Sequence, residues 1–77
     1  MKTIHSKRHK QLVELIIKER KAAGITQVQL AKKLKRSQTW VARLESGERR
    51  IDVIELINIC DAIESDVQAM IRWLLEQ

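Results

Sequence analysis

The side chains best suited to hydrogen bonding in this chain stand together near its midpoint. Ser37, Gln38 and Thr39 supply two hydroxyls and an amide, and Arg43 adds a guanidinium about one helical turn later. Hydroxyl, amide and guanidinium groups form hydrogen bonds with the edges of nucleic-acid bases and with phosphate oxygens. Such chemistry requires that the groups be presented together by one rigid element.

Residues 26–47 predict two short capped helices joined by a tight turn. Thr26 with Gln29 forms a capping box, so the first helix begins at the residue after Thr26. Ser37 offers the second N-cap, and Gly47 supplies a permissive stop. The apolar residues at helical spacing are Val28, Leu30, Ala31, Leu34, Val41 and Leu44. Two capped helices at this spacing are typical of a helix-turn-helix, which points to DNA.

Helices of about eight residues are marginal alone, so neighbouring helices must supply a core. The predicted N-caps of three further helices are Ser6 or Thr3, Asp52 with Glu55, and Ser65 with Gln68. Their apolar stripes are Leu12, Val13, Ile16, Ile17 and Ala23, ending at Gly24; Val53, Leu56, Ile57, Cys60 and Ile63; and Val67, Met70, Ile71, Leu74 and Leu75. No segment alternates with period two, so the sequence predicts one all-α domain of five helices over 1–77.

Charge is distributed unevenly along the chain. The net charge is +5, but residues 1–50 carry +10 and residues 51–77 carry −5. A basic half that contains the helix-turn-helix suits a phosphate backbone, whereas an acidic half is free to face away or to bind a partner. The alternative is that the Lys and Arg side chains merely solvate helices.

Composition restricts the class of protein. A chain of 77 residues buries only about 60% of its unfolded surface, so association is a plausible way to widen its stability margin. Its apolar runs are far shorter than the roughly 20 residues of a spanning helix, and we expect a soluble, cytoplasmic protein. Cys60 lies on an apolar helix face, where a buried structural role is favoured over a reactive thiol.

The segment from Ile25 to Ile63 resembles the bacterial and phage repressor or Cro family, the XRE-type helix-turn-helix regulators. The matching residues are Thr26, Gln27, Leu30, Ala31, Leu34, Ser37, Gln38, Val41, Leu44, Glu45, Gly47, Leu56, Ile59, Ala62 and Ile63. The chain departs from the family pattern at three positions. Lys35 replaces the glycine of the turn, Ile51 replaces a proline that commonly opens helix four, and Glu64 replaces the glycine that closes it. The resemblance implies a compact, five-helix, lambda-repressor-like DNA-binding domain.

The resemblance also implies roles for individual residues, with the helix from Ser37 to Glu45 lying in the major groove. Gln38, Thr39 and Arg43 would contact base edges, and Gln27 would anchor a phosphate at the start of the preceding helix. Glutamine can pair with adenine, arginine with guanine, and a threonine methyl can touch thymine. The alternative for Gln38 and Thr39 is that they are ordinary polar residues of a first helical turn.

Several groups flank the recognition helix. The candidate phosphate contacts, besides Gln27, are Lys35, Arg36, Ser37, Trp40, Arg49 and Arg50. Each cation alone could be an ordinary solvated charge, so only their clustering supports contacts with DNA. Trp40 has two candidate roles, a structural anchor near Glu45 or Arg49, which is favoured, or a contact with sugar and phosphate.

The N-terminal residues 1–8 are basic and predict an arm that follows the DNA backbone or minor groove. His5 and His9 are four residues apart, but zinc needs three or four ligands and no third donor converges on them. We therefore expect no metal and no cofactor. The sequence has no Gly-rich phosphate loop and no nucleophile elbow, and we expect no enzymatic activity.

The last predicted helix, within 65–77, carries more apolar residues than one core-facing stripe requires. We expect Met70, Trp73 and Leu74 to form the interface of a homodimer that reads a pseudo-palindromic operator. The alternative is that Trp73 only covers the core of a monomer.

The leading function is a sequence-specific regulator of transcription, such as a phage-type repressor or a restriction-modification controller. A second is an antitoxin that represses its own operon while another surface binds a toxin. A third is a protein-interaction module with this fold and no DNA contacts.

Overall fold

A computed structural model describes residues 6–77 and contains five α-helices in that range. The helices are α1 (Lys7–Ala22), α2 (Gln27–Leu34), α3 (Gln38–Glu45), α4 (Val53–Ala62) and α5 (Val67–Leu75). No strand occurs in this part of the chain. The prediction of an all-α, five-helix fold is therefore confirmed.

The predicted N-caps hold for four of the five helices. Ser6 caps α1 and Ser37 caps α3, each through a side-chain oxygen that accepts a backbone N–H three residues later. Thr26 and Asp52 form complete capping boxes at α2 and α4. Because these bonds are local, the sequence alone specified where the helices begin. Thr3, the alternative cap, lies outside the described residues.

The predicted cap of α5 was wrong by one residue. Asp66, not Ser65, is the N-cap, and its carboxylate accepts the backbone N–H groups of Gln68 and Ala69. The Ser65 hydroxyl instead donates to the Glu19 carboxylate at 3.2 Å, which joins α1 to the loop before α5. The Ser65 side chain, which local spacing predicted to cap α5, is thus hydrogen-bonded to a residue distant in the sequence.

The basic arm was expected over 1–8, and positions 7 and 8 of that range lie in a helix. Residues 1–5, including His5, lie outside the described residues, and α1 begins at Lys7, directly after its cap Ser6. Lys7 and Arg8 are therefore exposed residues of the first helical turn.

The two positions where the family pattern has glycine adopt the backbone that glycine favours. Lys35 has φ +56° and Glu64 has φ +58°. At the end of α2, the Arg36 N–H donates to Ala31 O at 2.9 Å and the Lys35 N–H donates to Lys32 O at 3.1 Å. This bond pair is a Schellman motif, which turns the chain sharply into α3. The left-handed conformation costs a non-glycine residue about 1–2 kcal/mol.

The core forms where all five helices meet. α2 packs on α3 and α4, α1 packs on α3 and α5, and α4 packs on α5. Its buried members include Ile16, Leu30, Ala31, Val41, Leu44, Leu56, Ile59, Cys60, Ile63 and Met70. Every helix thus contributes to one core, which fixes α2 and α3 relative to the other three helices.

Several predicted core residues are exposed instead. Val53 is 67% exposed, Val28 43% and Ile57 38%, and Ala23 is also on the surface. Ile59 is fully buried although the predicted stripe of α4 omitted it. The predicted stripe was correct at Leu56, Cys60 and Ile63. α4 is apolar on more than one side, so helical spacing alone identified its inner face only in part.

Two of the three predicted dimer residues belong to the protomer's own core. Met70 is 4% exposed and Leu74 is 8% exposed, so a second copy cannot pack against them without disrupting the fold. Trp73 is 38% exposed and remains on the surface. The buried pair is spaced i, i+4, which is the core-facing stripe of α5.

Candidate nucleic-acid interface

The exposed side of α3 carries the predicted base-contacting residues. Gln38, Thr39 and Arg43 are all exposed, and none of their side chains forms a hydrogen bond within residues 6–77. Thr39 and Arg43 are spaced i, i+4 and so share a face. Ala42 is exposed one turn after Gln38, and its small side chain leaves this face open to close approach. Sequence reasoning did not single out Ala42.

A groove of about 440 Å³ runs along this side of α3. It is lined by Ser37, Thr39, Trp40, Arg43, Glu48 and Arg49. The structure thus brings five predicted contact residues together, while Gln38 lies outside the groove lining. The lining thus combines hydroxyl, aromatic and guanidinium groups, which can contact phosphate and bases, with one carboxylate, that of Glu48.

Trp40 is held between α3 and the loop that follows it. Its ring packs partly buried against the core, with the guanidinium carbons of Arg36 and Arg49 at 5.0 and 4.7 Å from the ring centroid. Both distances fall within the range of cation–π attraction. These contacts match the structural role that the sequence favoured for Trp40.

Arg49 is engaged within the protein by a carboxylate of α4. Its Nη1 and Nη2 donate to Oε1 and Oε2 of Glu55 at 3.2 and 2.9 Å, and Glu55 also accepts the Asp52 N–H in the capping box. The hydrogen bond from Arg49 is the main reason that the pKa of Glu55 lies below its ordinary value of 4.5. Sequence reasoning found Glu55 as a cap residue and missed this second role.

A buried ion pair holds the other end of α3. The Arg20 guanidinium donates to the Glu45 carboxylate at 2.6 and 2.9 Å and to Ile25 O at 2.7 Å. The Gln27 amide, expected to anchor a phosphate, donates to Glu45 Oε1 at 3.0 Å. The signal for Arg20 in the sequence is its spacing after Val13 and Ile16, which places a charge on the core-facing stripe of α1.

Comparison with known proteins supplies the family. The sequence pattern of the family described as "Helix-turn-helix domain" matches residues 11–74. The chain belongs to the XRE-type helix-turn-helix family. A solved XRE-family-like protein from Pseudomonas syringae pv. tomato str. DC3000 is 43% identical, with a TM-score of 0.89 over 96% of this chain and 90% of that chain. No protein of curated function matches the sequence significantly.

A second solved structure supports the fold alone. The clp gene regulator ClgR from C. glutamicum is 19% identical, with a TM-score of 0.81 over 94% of each chain.

The XRE-type family consists of DNA-binding regulators, so the helix-turn-helix of α2 and α3 is a DNA-binding element.

The surface of this XRE-type domain carries exposed cations along α1 and around α2, α3 and the loop after α3. Only the second group surrounds the helix-turn-helix. The exposed cations there are Lys32, Lys33, Lys35, Arg36, Arg43 and Arg50. Arg49 is compensated by Glu55, and no ion pair involves these six cations within residues 6–77. Uncompensated cations raise the local concentration of an anionic polymer and release its counterions on contact.

The remaining predicted features concern metals, membranes and the thiol. Residues 6–77 hold no cluster of three potential metal ligands, and no helix in that range has the length and apolarity needed to cross a membrane. Cys60 is buried, as predicted, and its burial raises the pKa of the thiol to about 11. It lies beside Met70.

Proposed function

We propose that this protein is a sequence-specific regulator of transcription that reads double-stranded DNA with α3 in the major groove. The observation that supports this most strongly is the state of Gln38, Thr39 and Arg43. All three are exposed on a helix fixed at both ends, and their hydrogen-bonding groups are free within residues 6–77. Each good bidentate contact would give about 1–3 kcal/mol of discrimination between bases.

The proposed phosphate contacts divide into two groups. Lys35, Arg36 and Arg50 are exposed and would carry most of the electrostatic affinity. Ser37 and Trp40 line the groove beside them. Gln27 and Arg49 donate to carboxylates within the protein, so we assign them a smaller share of the contacts with DNA. In this account the protein acts in the cytoplasm and represses transcription by occupying its operator.

We also propose a homodimer, formed by an exposed surface that we name the α4–α5 apolar face. Its members are Val53, Ile54, Ile57, Ile71 and Leu75, which are 38–67% exposed. α4 and α5 meet where Cys60 contacts Met70. Ile57 lies one turn before Cys60 on α4. On α5, Ile71 directly follows Met70 and Leu75 lies one turn further along. Large exposed apolar patches commonly mark protein interfaces, and we propose that the five side chains form one such patch.

Trp73, the remaining predicted interface residue, lies on the opposite edge of α5. It lines two small grooves of about 220 and 230 Å³ together with Leu15 of α1. The α4–α5 apolar face and the Trp73 edge are therefore two distinct candidate interfaces. To read two half-sites, a two-fold dimer through either surface would have to hold its two α3 helices about 34 Å apart.

Sedimentation of point variants separates the two interfaces. We expect Ile54→Glu and Leu75→Glu to yield monomers, because each places a charge on an apolar surface that a second copy would bury. The matched variant Trp73→Glu would leave the dimer intact. A monomer produced only by Trp73→Glu would transfer the interface to the other edge, and a wild-type monomer at all concentrations would reject the homodimer.

Selection from random duplex DNA tests the function itself. We expect the purified protein to enrich an inverted repeat and to bind it more weakly as salt rises. Enrichment of a single half-site would support recognition without dimerisation. No enrichment at all would contradict sequence-specific binding and would favour a role in which the α4–α5 apolar face binds a different protein, as in an antitoxin.

A further inference from the structure

We propose that Glu55 of α4 is a positioning residue for DNA binding, acting through Arg49 and Trp40 to hold Arg36 at the start of α3. This inference rests on the proposed function. It concerns a residue that lies outside α3 and whose negative charge would by itself oppose binding to DNA.

The first step is the fixation of Glu55 itself. Its Oε1 accepts the Asp52 N–H at 3.0 Å, while Asp52 accepts the Glu55 N–H at 2.7 Å, so the carboxylate is tied to the first turn of α4. The Glu55 side chain is only 17% exposed. A carboxylate held in this way offers a fixed, two-oxygen acceptor to an arginine.

The second step is that the fixed Glu55 carboxylate positions the Arg49 guanidinium against Trp40. Arg49 binds both oxygens of Glu55, and its guanidinium then lies 4.7 Å from the Trp40 ring centroid. A guanidinium in a bidentate pair has a defined plane and position, unlike a free one on a long flexible side chain. Arg49 thereby packs against the ring in one orientation.

The third step is the placement of Arg36. Its guanidinium lies 5.0 Å from the same ring, immediately before the N-cap Ser37. The charge of Arg36 also helps to lower the pKa of Glu55, which places the two groups in one electrostatic cluster. The cluster holds two cations and one carboxylate. Arg49 is compensated, so Arg36 is the cation left for a phosphate.

Glu55→Gln distinguishes two accounts, because they predict opposite changes in the affinity for DNA. Removing a negative charge from a DNA-binding protein should tighten binding if only net charge matters. If Glu55 positions Arg36, binding should instead weaken by roughly two- to fivefold, the size of an exposed cation–π contact. Glutamine keeps an oxygen that can accept the Asp52 N–H, so the cap of α4 is retained.

Asp61→Asn is the matched control. It removes the same charge from the same helix, at an exposed position with no hydrogen bond to Arg49. We expect this variant to bind DNA as tightly as wild type or more tightly. Arg49→Lys provides a second variant, which keeps the positive charge but loses the bidentate pair, and we expect it to weaken binding as Glu55→Gln does.

A double-mutant cycle then identifies the residue through which Glu55 acts. Arg36→Ala should weaken binding and lower the slope of log Kd against log salt by about 1. In that background Glu55→Gln should have no further weakening effect. Circular dichroism would verify that each variant remains folded under the binding conditions.

The outcomes separate this inference from the proposed function. If wild type binds its selected sequence and Glu55→Gln binds as tightly as Asp61→Asn, the positioning role is wrong while the function stands. Equal weakening by Glu55→Gln with and without Arg36 would also overturn it. If wild type shows no sequence-dependent binding, the proposed function itself has failed.

Discussion

The two ends of α3 are held by arginine–glutamate ion pairs that differ in burial. At the C-terminal end, Arg20 and Glu45 form an ion pair whose side chains are only 9% and 5% exposed. At the N-terminal end, the pair of Arg49 and Glu55 is 30% and 17% exposed and packs against Trp40. One attachment lies inside the fold, and the other lies in the surface that would meet DNA.

Because of this difference in burial, we expect one ion pair to stabilise the fold and the other to affect mainly the binding of DNA. Breaking a buried pair leaves an unpaired charge inside the protein and costs about 3–5 kcal/mol, whereas an exposed pair contributes about 0.2–1 kcal/mol. The inner attachment therefore maintains the fold and the orientation of α3. The outer one adds little to folding but determines where cations stand relative to a ligand.

The largest expected effect comes from the inner pair. Arg20→Ala should lower the free energy of unfolding by about 3–5 kcal/mol, because the Glu45 carboxylate would remain buried without its partner. Urea unfolding followed by circular dichroism measures this loss. Lys21→Ala, at the exposed neighbouring position, should change it by less than about 0.5 kcal/mol. Similar values for the two variants would show that the pair does not hold the fold.

A smaller effect is expected at the two left-handed turns. Lys35→Gly and Glu64→Gly should each raise the free energy of unfolding by roughly 0.5–1 kcal/mol, because glycine relieves the strain of positive φ. Only Lys35→Gly should also weaken DNA binding, since it removes a cation beside α3. Destabilisation by either substitution, in the same urea experiment, would mean that the side chain contributes more than the strain costs.

The smallest expected effect is the pH dependence of the outer pair. Glu55→Gln should lower the free energy of unfolding at pH 7 by about 0.5 kcal/mol, the size of an exposed pair. Because the pKa of Glu55 is lowered in the folded state, the contribution is present above pH 4.5 and disappears as the pH falls through the lower folded value. Unfolding curves of both proteins between pH 7 and 3 should therefore converge. A gap that does not narrow as the pH falls would contradict an ionic origin.

The sequence was sufficient for features that depend on near neighbours. Thr26, Ser37 and Asp52 cap their helices through bonds to residues three positions away, so spacing alone located α2, α3 and α4. The exposed residues of α3 could be predicted for the same reason, since helical spacing fixes which side chains share a face.

Features that depend on distant partners could not be predicted. Arg20 and Glu45 are 25 residues apart in the sequence, and Ser65 and Glu19 are 46 residues apart. Local spacing therefore predicts neither contact. The inner face of α4 was misassigned in part: Val53 and Ile57 were wrongly included and Ile59 was omitted, because apolar residues lie on two sides of the helix. The contact of Arg49 with Glu55 is intermediate in sequence separation. The sequence identified Glu55 as a cap residue but not its partner in the preceding loop.

Base discrimination is the measurement that tests the central claim most directly. The ratio of affinities for the selected and a scrambled sequence would be compared for wild type, Gln38→Ala and Gln68→Ala. Gln68 is the matched control, an exposed glutamine in the first turn of α5. We expect Gln38→Ala to lose about 1–3 kcal/mol of discrimination, and Gln68→Ala to lose none. An unchanged ratio for Gln38→Ala, repeated with Arg43→Ala, would contradict base reading by α3.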